Sequence, residues 1–437
     1  MRNNKYNKKV YVGLSADILH KGHINILKIA KKYGDVIVGL LTDEAIASYK
    51  NIPYLNYEKR KIVLENIKYV KKVIPQKTLD YVENLNLVKP DYVVHGDDWK
   101  NGIQKKTRAK AIKTLKKWSG KLIEPQYTKN ISSTMIKKQM TNIISSPDNR
   151  VSRLKRLLHS KDIVRILESH NSLTGLIIDK INIIKDKKTI EFDGMWSSSL
   201  TDSATKGLPD NSSLSFSARI SSLQDMLDVT SKPIVFDADN GGQIEHLPFL
   251  VRSLERSGVS AIIMEDKIGL KKNSLFKNQS GAKQDKPNDF AKKIKKICST
   301  RQSNDFLAIA RIESFILGKG IQDALKRAVI YSKAGADAIL IHSKEKTPKE
   351  IFSFAKEFKK SKYFIPLVSV PSTYSKVYEK DLINNGFKLV IYANQLLRAA
   401  YPAMHETAKT ILKNSRAFEA DKKIIPIKEI ISLIKND

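Results

Sequence analysis

Met264-Glu265-Asp266-Lys267-Ile268-Gly269-Leu270-Lys271-Lys272-Asn273-Ser274 follows directly on the apolar run Val259–Met264. The eleven residues hold two acids, three lysines and an amide. A short apolar run reads as a buried strand, and its carboxylates then lie at the strand's carboxyl end. The loop beyond carries a glycine and paired lysines. Such a junction can hold a cation at the strand end and clamp an anion from the loop.

Other strands end the same way. Eight buried runs predict strands: Leu173–Ile178, Ile190–Met195, Pro233–Phe236, Ala261–Met264, Phe306–Ala310, Ala336–Ile341, Ile365–Val370 and Lys388–Tyr392. Ahead of them, Arg153–Ser169 has helical spacing (Leu154, Leu157, Leu158, Ile163, Ile166, Leu167). Helical patterns such as Glu245–Glu255 and Ile321–Ala334 fill most gaps between the runs. Eight strand–helix units in roughly 230 residues predict a (β/α)8 barrel of the TIM type.

The run ends are polar: Trp196-Ser197-Ser198-Ser199, Asp237-Ala238-Asp239, Glu265-Asp266-Lys267, Arg311-Ile312-Glu313, His342-Ser343-Lys344 and Asn394. In a barrel these ends converge on one face, where catalysis sits. A single Asp after a strand usually caps a helix; six loaded ends exceed what capping explains. Asp237, Asp239 and Glu265 are hard oxygen donors, suited to Mg2+ held partly through water and substrate. No Cys/His cluster argues for zinc. Arg311 can grip a phosphate or carboxylate bidentately, and His342 with Ser198–Ser199 can donate to a phosphoryl oxygen. The expected ligand is a small, multiply anionic phosphorylated acid.

Upstream, Val10–Leu14, Val36–Leu41, Val70–Ile74 and Asp91–His95 predict strands, with helical patterns from Ile24 and over Arg60–Tyr69. This alternation predicts a parallel, Rossmann-like α/β sheet, with ligands beyond the strands' carboxyl ends. His20-Lys21-Gly22-His23 falls at such an end, before a helix. Two imidazoles there can face a phosphate that the helix N-terminus already favours, and Gly22 lets the backbone approach closely. A metal is the weaker reading, because no third ligand is near in sequence. Ile144–Asn149 is a polar break with a proline. The expected domains are residues 1–140 and 153–437, with 141–152 as linker.

The chain has 437 residues, 41% hydrophobic and 28% charged, which predicts a folded rather than disordered protein. Its net charge of +33 comes from 78 Lys+Arg against 45 Asp+Glu. The lysines are scattered along the chain, and no stripe interleaves aromatics with basics, so no nucleic-acid partner is expected. No apolar run reaches the roughly 18 residues that span a bilayer. Met1–Lys9 is basic without an apolar core behind it, unlike a secretory signal. Cys298 is the one cysteine, so no intramolecular disulfide forms. Cytoplasm is the expected compartment.

About residues 9–140 resemble the cytidylyltransferase family of the glycerol-3-phosphate and ethanolamine-phosphate type. The likeness rests on HKGH at 20–23, Thr42-Asp43-Glu44, Tyr57-Glu58-Lys59-Arg60, His95–Trp99 and Thr128-Lys129-Asn130-Ile131-Ser132-Ser133-Thr134. It implies a CTP site in which His20 and His23 stabilise the transition state at the α-phosphate. Ser15, Asp97, Thr128, Ser132, Ser133 and Thr134 complete the implied site, the last motif holding the triphosphate.

About residues 153–435 resemble the phosphoenolpyruvate mutase family of the isocitrate lyase superfamily. The motifs are Trp196–Leu200, Gly207-Leu208-Pro209-Asp210, Asp237–Gly241, Glu265-Asp266-Lys267 with Lys271 and Asn273-Ser274, Ala310–Glu313, and His342-Ser343-Lys344. The resemblance implies phosphoenolpyruvate as substrate and Mg2+ near Asp237, with Asp239 and Glu265 acting largely through water. It brings the phosphoryl group to Ser198, the Leu200 backbone, Asn273, Arg311 and His342, and the carboxylate end to the metal and Ser199. Trp196 and Ser274 join the substrate set, and Asp210 lies at the phosphoryl-transfer locus. Asp266–Lys283 resembles a gating loop that closes Lys271 and Asn273 over the substrate. Also implied are a downstream phosphonopyruvate decarboxylase and a homo-oligomer, dimer or tetramer. The superfamily's lyases carry a Lys-Lys-Cys-Gly-His loop that this chain lacks. The alternative within the family is a phosphonopyruvate hydrolase.

Overall fold

The computed structural model describes residues 8–49, 52–100, 104–126, 146–185, 188–269, 271–276 and 279–433. The first sheet has five parallel strands: β1 (Lys9–Leu14), β2 (Asp35–Leu41), β3 (Val70–Gln76), β4 (Tyr92–Val94) and β5 (Lys121–Ile123). Their order is β3-β2-β1-β4-β5, so the order in which strands are added reverses beside β1. Ligands bind at such switch points, and the helix Lys21–Lys31 starts there. Separate apolar clusters around Val12, Val38 and Leu27, and around Tyr11, Val93 and Trp99, fill the two faces.

The second unit is a closed barrel. Its strands are β6 (Val164–Glu168), β9 (Gly194–Ser197), β10 (Ile234–Asp237), β11 (Ala261–Glu265), β14 (Leu307–Ile312), β15 (Ala338–Ile341), β16 (Leu367–Ser369) and β17 (Phe387–Tyr392), all parallel. Two hairpins decorate it: β7 (Asn182–Lys185) with β8 (Lys188–Glu191), and β12 (Lys267–Ile268) with β13 (Lys283–Gln284).

The count of eight holds, but its first member is corrected. Leu173–Ile178 lies in a helix, Ser172–Lys180, capped by Asn171, whose side chain accepts from the Thr174 amide. The first barrel strand instead comes from the stretch expected to be helical. The helix there is Pro147–Ser160, which starts inside the expected linker, and Lys161 to Ile163 lead into β6. The second strand is Gly194–Ser197, because the expected run 190–195 straddles the end of β8.

Inside the barrel, Ile166, Trp196, Val235, Ile263, Ile309, Leu340, Val368 and Ile391 form one apolar cluster, closed below by Leu154, Leu157 and Leu158. Alternate strand residues share a face. Two residues past that cluster therefore come Glu168, Ser198, Asp237, Glu265, Arg311 and His342. Each aliphatic side chain contributes about 1.5–3 kcal/mol on burial, and this layer supports the charged rim above it. Among the described residues no helix is long and apolar enough to cross a membrane.

Candidate active site

The rim encloses a cavity of about 50 Å3 lined by Trp196, Ser198, Asp210, Asp237, Arg311 and His342, among others. Asp237 and Glu265 are buried, and Ser199 donates through Oγ to Asp237 Oδ2 at 2.9 Å. The short helix Ser199–Ala204 has no side-chain cap from Ser198; its Ser199 amide donates to Asp237 Oδ2 at 3.4 Å, and Leu200 lines the cavity. Behind Asp237, Arg219 donates to the Asp237 carbonyl at 2.5 Å and to Asp202 at 2.9 Å. Burial drives the Asp237 carboxyl up, but Lys271, Arg219 and Arg311 outweigh it and hold the group below its ordinary value.

Arg311 and Glu313 sit two apart on one face. The Arg311 Nε donates to Glu313 Oε1 at 2.6 Å. Glu313 is wholly buried and also accepts from Ser274 Oγ at 2.5 Å. Ser274 Oγ in turn accepts from Lys267 Nζ and from Arg311, each at 2.9 Å. His342 Nδ1 lies 3.0 Å from Arg311 and 3.1 Å from Glu313. Burial first, and then the Arg311 charge, lower the His342 pKa, keeping the ring neutral. The Trp196 indole N–H is buried with no acceptor among the described residues.

From the loop between β12 and β13, Lys271 reaches down into the acids. Its ammonium lies 2.6 Å from Asp210 and 2.5 Å from Asp239, and it donates to Ser199 Oγ. Asn273 Nδ2 donates to the other Asp210 oxygen at 2.7 Å. Burial opposes the Lys271 charge, but Asp237, Asp239, Asp210 and Glu265 raise its pKa above the ordinary value.

Five carboxylates (Asp210, Asp237, Asp239, Glu265, Glu313) thus face three permanent cations (Lys267, Lys271, Arg311). Burial lifts Glu265 to about 7, with Arg311 pulling down and Glu313 pushing up. Among the described residues no three His, Cys, Asp or Glu side chains stand close enough to enclose a metal by themselves. Oxygen donors in excess of the local cations, without a complete protein cage, fit Mg2+, which keeps waters and takes further oxygens from substrate.

The first sheet carries a second, larger cavity of about 310 Å3 at the end of β1. Ser15, His20, Gly22, His23, His95 and Asp98 line it. The His20 Nδ1 accepts from the Gly22 amide at 3.1 Å, so the neutral ring carries its proton on Nε2. Burial lowers the pKa of His20 and of His95. The two histidine rings of the motif sit 4.0 Å apart. His95 stacks on Trp99 at 3.9 Å, and Trp99 donates to Glu124 at 2.8 Å.

The phosphoenolpyruvate phosphomutase family model matches residues 154–412. The chain belongs to the phosphoenolpyruvate phosphomutase family. It is 37% identical over 294 residues to a phosphoenolpyruvate phosphomutase of Tetrahymena pyriformis, covering 67% of this chain and 93% of that one. A phosphonopyruvate hydrolase solved with oxalate and Mg2+ superposes with a TM-score of 0.58 at 32% identity, covering 65% of this chain and 94% of that one. The cytidylyltransferase-like family matches residues 11–139. A glycerol-3-phosphate cytidylyltransferase of Bacillus spizizenii is 36% identical over 138 residues, 31% of this chain and 99% of that one.

In this phosphomutase-family barrel, the structure brings Trp196, Ser198, Ser199, Leu200, Asp210, Asp237, Glu265, Lys271, Asn273, Ser274, Arg311 and His342 to one cavity. Asp239 joins through Lys271. Glu313 and Lys267 were absent from the expected set. The Arg-x-Glu spacing at the end of β14 was the signal for Glu313, since residues two apart share a face. In the first sheet Ser15, His20 and His23 share the pocket, whereas its wall carries Asp98 rather than Asp97; Asp97 starts the turn Asp97–Lys100. Thr128, Ser132, Ser133 and Thr134 lie outside the described residues.

Proposed function

We propose that the barrel interconverts phosphoenolpyruvate and 3-phosphonopyruvate. The bond from phosphorus to the enol oxygen breaks and one to C3 forms, so the reaction is an isomerisation. The observation that carries this reading is the lid: Lys271 and Asn273 both fold onto Asp210 and seal a small cavity whose walls carry Arg311 and His342. A phosphoryl group in loose, metaphosphate-like transfer is captured by carbon if water is kept out.

Arg311, neutral His342, the Ser198 hydroxyl, the Leu200 amide and the free Trp196 N–H supply donors for phosphoryl oxygens. Asp237, Asp239 and Glu265 would hold Mg2+ partly through water and substrate; when bound, it supplies positive charge beside the carboxylate and developing enolate. Asp210 is positioned by the lid residues at the transfer locus.

Phosphorus NMR of the protein with phosphonopyruvate and Mg2+ tests this. Phosphoenolpyruvate appears, and Asp210→Ala abolishes it. Free phosphate and pyruvate as the sole products would instead support a phosphonopyruvate hydrolase. That second reading is kept because a hydrolase at 32% identity matches the same barrel.

For the first sheet we infer CMP transfer from CTP to a phosphonate or phosphate acceptor, with His20 Nε2–H donating to the α-phosphate. Pyrophosphate release from CTP across a phosphonate panel tests it; nucleotide binding without release would make the unit a regulatory module. A phosphonopyruvate decarboxylase would draw the barrel's product forward, and a cytoplasmic homo-oligomer is the expected assembly.

A further inference from the structure

The two units meet through Arg156, and this contact reaches the nucleotide pocket. Arg156 lies on the helix Pro147–Ser160 beneath the barrel. Its guanidinium donates to the Tyr54 carbonyl at 2.8 Å and the Pro53 carbonyl at 2.5 Å, and lies 3.4 Å from Asp43 Oδ2. These acceptors belong to the first unit. Ile52, just before them, is buried in the apolar cluster at the barrel's base.

The strap 52–55 is also tied on its other side. The Tyr54 amide donates to Asp17 Oδ1 at 2.6 Å, and Asp17 is 2% exposed. Arg60, whose side chain is fully buried, donates to the Leu55 carbonyl at 3.0 Å, to the Ser15 carbonyl at 2.6 Å and to Asp43 Oδ1 at 2.6 Å. Asp43 therefore carries Arg60 on one oxygen and Arg156 on the other.

Ser15 lines the pocket that holds His20 and His23. Between Ser15 and Asp17, Ala16 has φ +46°, a conformation that costs a non-glycine residue about 1–2 kcal/mol. It persists when surrounding bonds impose it, and those bonds are the ones from Arg60 and Tyr54. We propose that Arg156 is a positioning residue for the nucleotide pocket: through strap 52–55 and Asp43, the barrel unit fixes the loop 15–17. The pocket's affinity then depends on a residue of the other domain. This rests on the reading of that pocket as a CTP site.

The test uses the full chain with Arg156→Met, Arg156→Lys and, as a control, Lys155→Met, which lies on the same helix and bonds to Asn304. Calorimetric titration with CTP and Mg2+ should show Arg156→Met binding about tenfold weaker, the size expected when buried carbonyls lose their donor. Arg156→Lys should recover part of the loss, and Lys155→Met should match the unaltered protein. Hydrogen exchange of the amides at 15–17, without nucleotide, should speed up in Arg156→Met. Phosphonopyruvate turnover in the barrel should stay unchanged in all three. Unaltered exchange at 15–17 in Arg156→Met overturns the proposal, as does a CTP affinity equal to that of the unaltered protein. An equal loss in Lys155→Met overturns it too, because the effect would then be a general loosening of the helix. If the unaltered protein binds no cytidine nucleotide, the CTP reading falls and the exchange measurement alone decides the relay.

Discussion

Lys271 Nζ stands 2.5 Å from Asp239 Oδ1, so a lid residue and an acid two residues past the end of β10 share one charge contact. The lid closes by putting an ammonium among the carboxylates expected to face a cation. Sealing and metal affinity are therefore separable. Lys271→Ala should lower the rate of phosphoenolpyruvate formation by about 10²-fold, the scale of misplacing groups around a reacting centre. Free phosphate and pyruvate should rise in the phosphorus NMR spectrum as water enters. Mg2+ affinity by calorimetry should hold or improve. Abolished metal binding with a lid that still closes would sink this division of labour.

Arg219→Met should destabilise the barrel. Arg219 is 2% exposed and serves Asp202, the Asp237 carbonyl and the Ser197 carbonyl. Burial already pushes the Asp202 carboxyl upward against the Arg219 charge. Removing the cation strands a buried carboxylate, which costs about 3–5 kcal/mol. Urea unfolding followed by circular dichroism reads the loss, and a midpoint unchanged from the unaltered protein contradicts it.

The barrel was legible because its inner face keeps strict alternation. Val235 leads to Asp237, Ile263 to Glu265 and Leu340 to His342, so apolar runs and their polar ends announce one another. The first strand was obscured because Ile163, Ile166 and Leu167 repeat the spacing of Leu154, Leu157 and Leu158. The five-residue step from Leu158 to Ile163, across Lys161-Asp162, is the one break in that register. The helix Ser172–Lys180 was hidden for the converse reason: its apolar stretch is short, and its signal is the Asn171 cap rather than its pattern. The Arg156 contact joins residues 102 and 113 positions apart, and no local pattern encodes it.

The first unit should lose stability in acid through Glu124. Arg108 and then Trp99 hold this carboxyl at about 2, against an ordinary 4.5, while burial pushes the other way. Between those values the folded state binds fewer protons than the unfolded one. The contribution is therefore fully present above pH 4.5 and fades as pH falls towards 2. Tryptophan emission through an acid titration should show the transition, and Glu124→Gln should flatten it in that window. A curve identical to the unaltered protein's would show that the Arg108 pair carries no such linkage.

Glu313→Gln tests whether the barrel's anion grip depends on a group that sequence reading left out of the site. Glu313 is 0% exposed and is paired with Arg311, with Lys267 at 3.4 Å and with His342. Burial favours its neutral form, yet the Arg311 charge above all holds its pKa well below the ordinary carboxylate value. The amide keeps the volume but removes the charge that aims the Arg311 fork. Supporting partners of this kind are worth about 10–100-fold when lost. The expected result is a KM for phosphonopyruvate raised on that scale, with a smaller fall in kcat, because Arg311 still bears its charge but points less well. Loss of kcat with KM unchanged would instead place Glu313 in the chemical step.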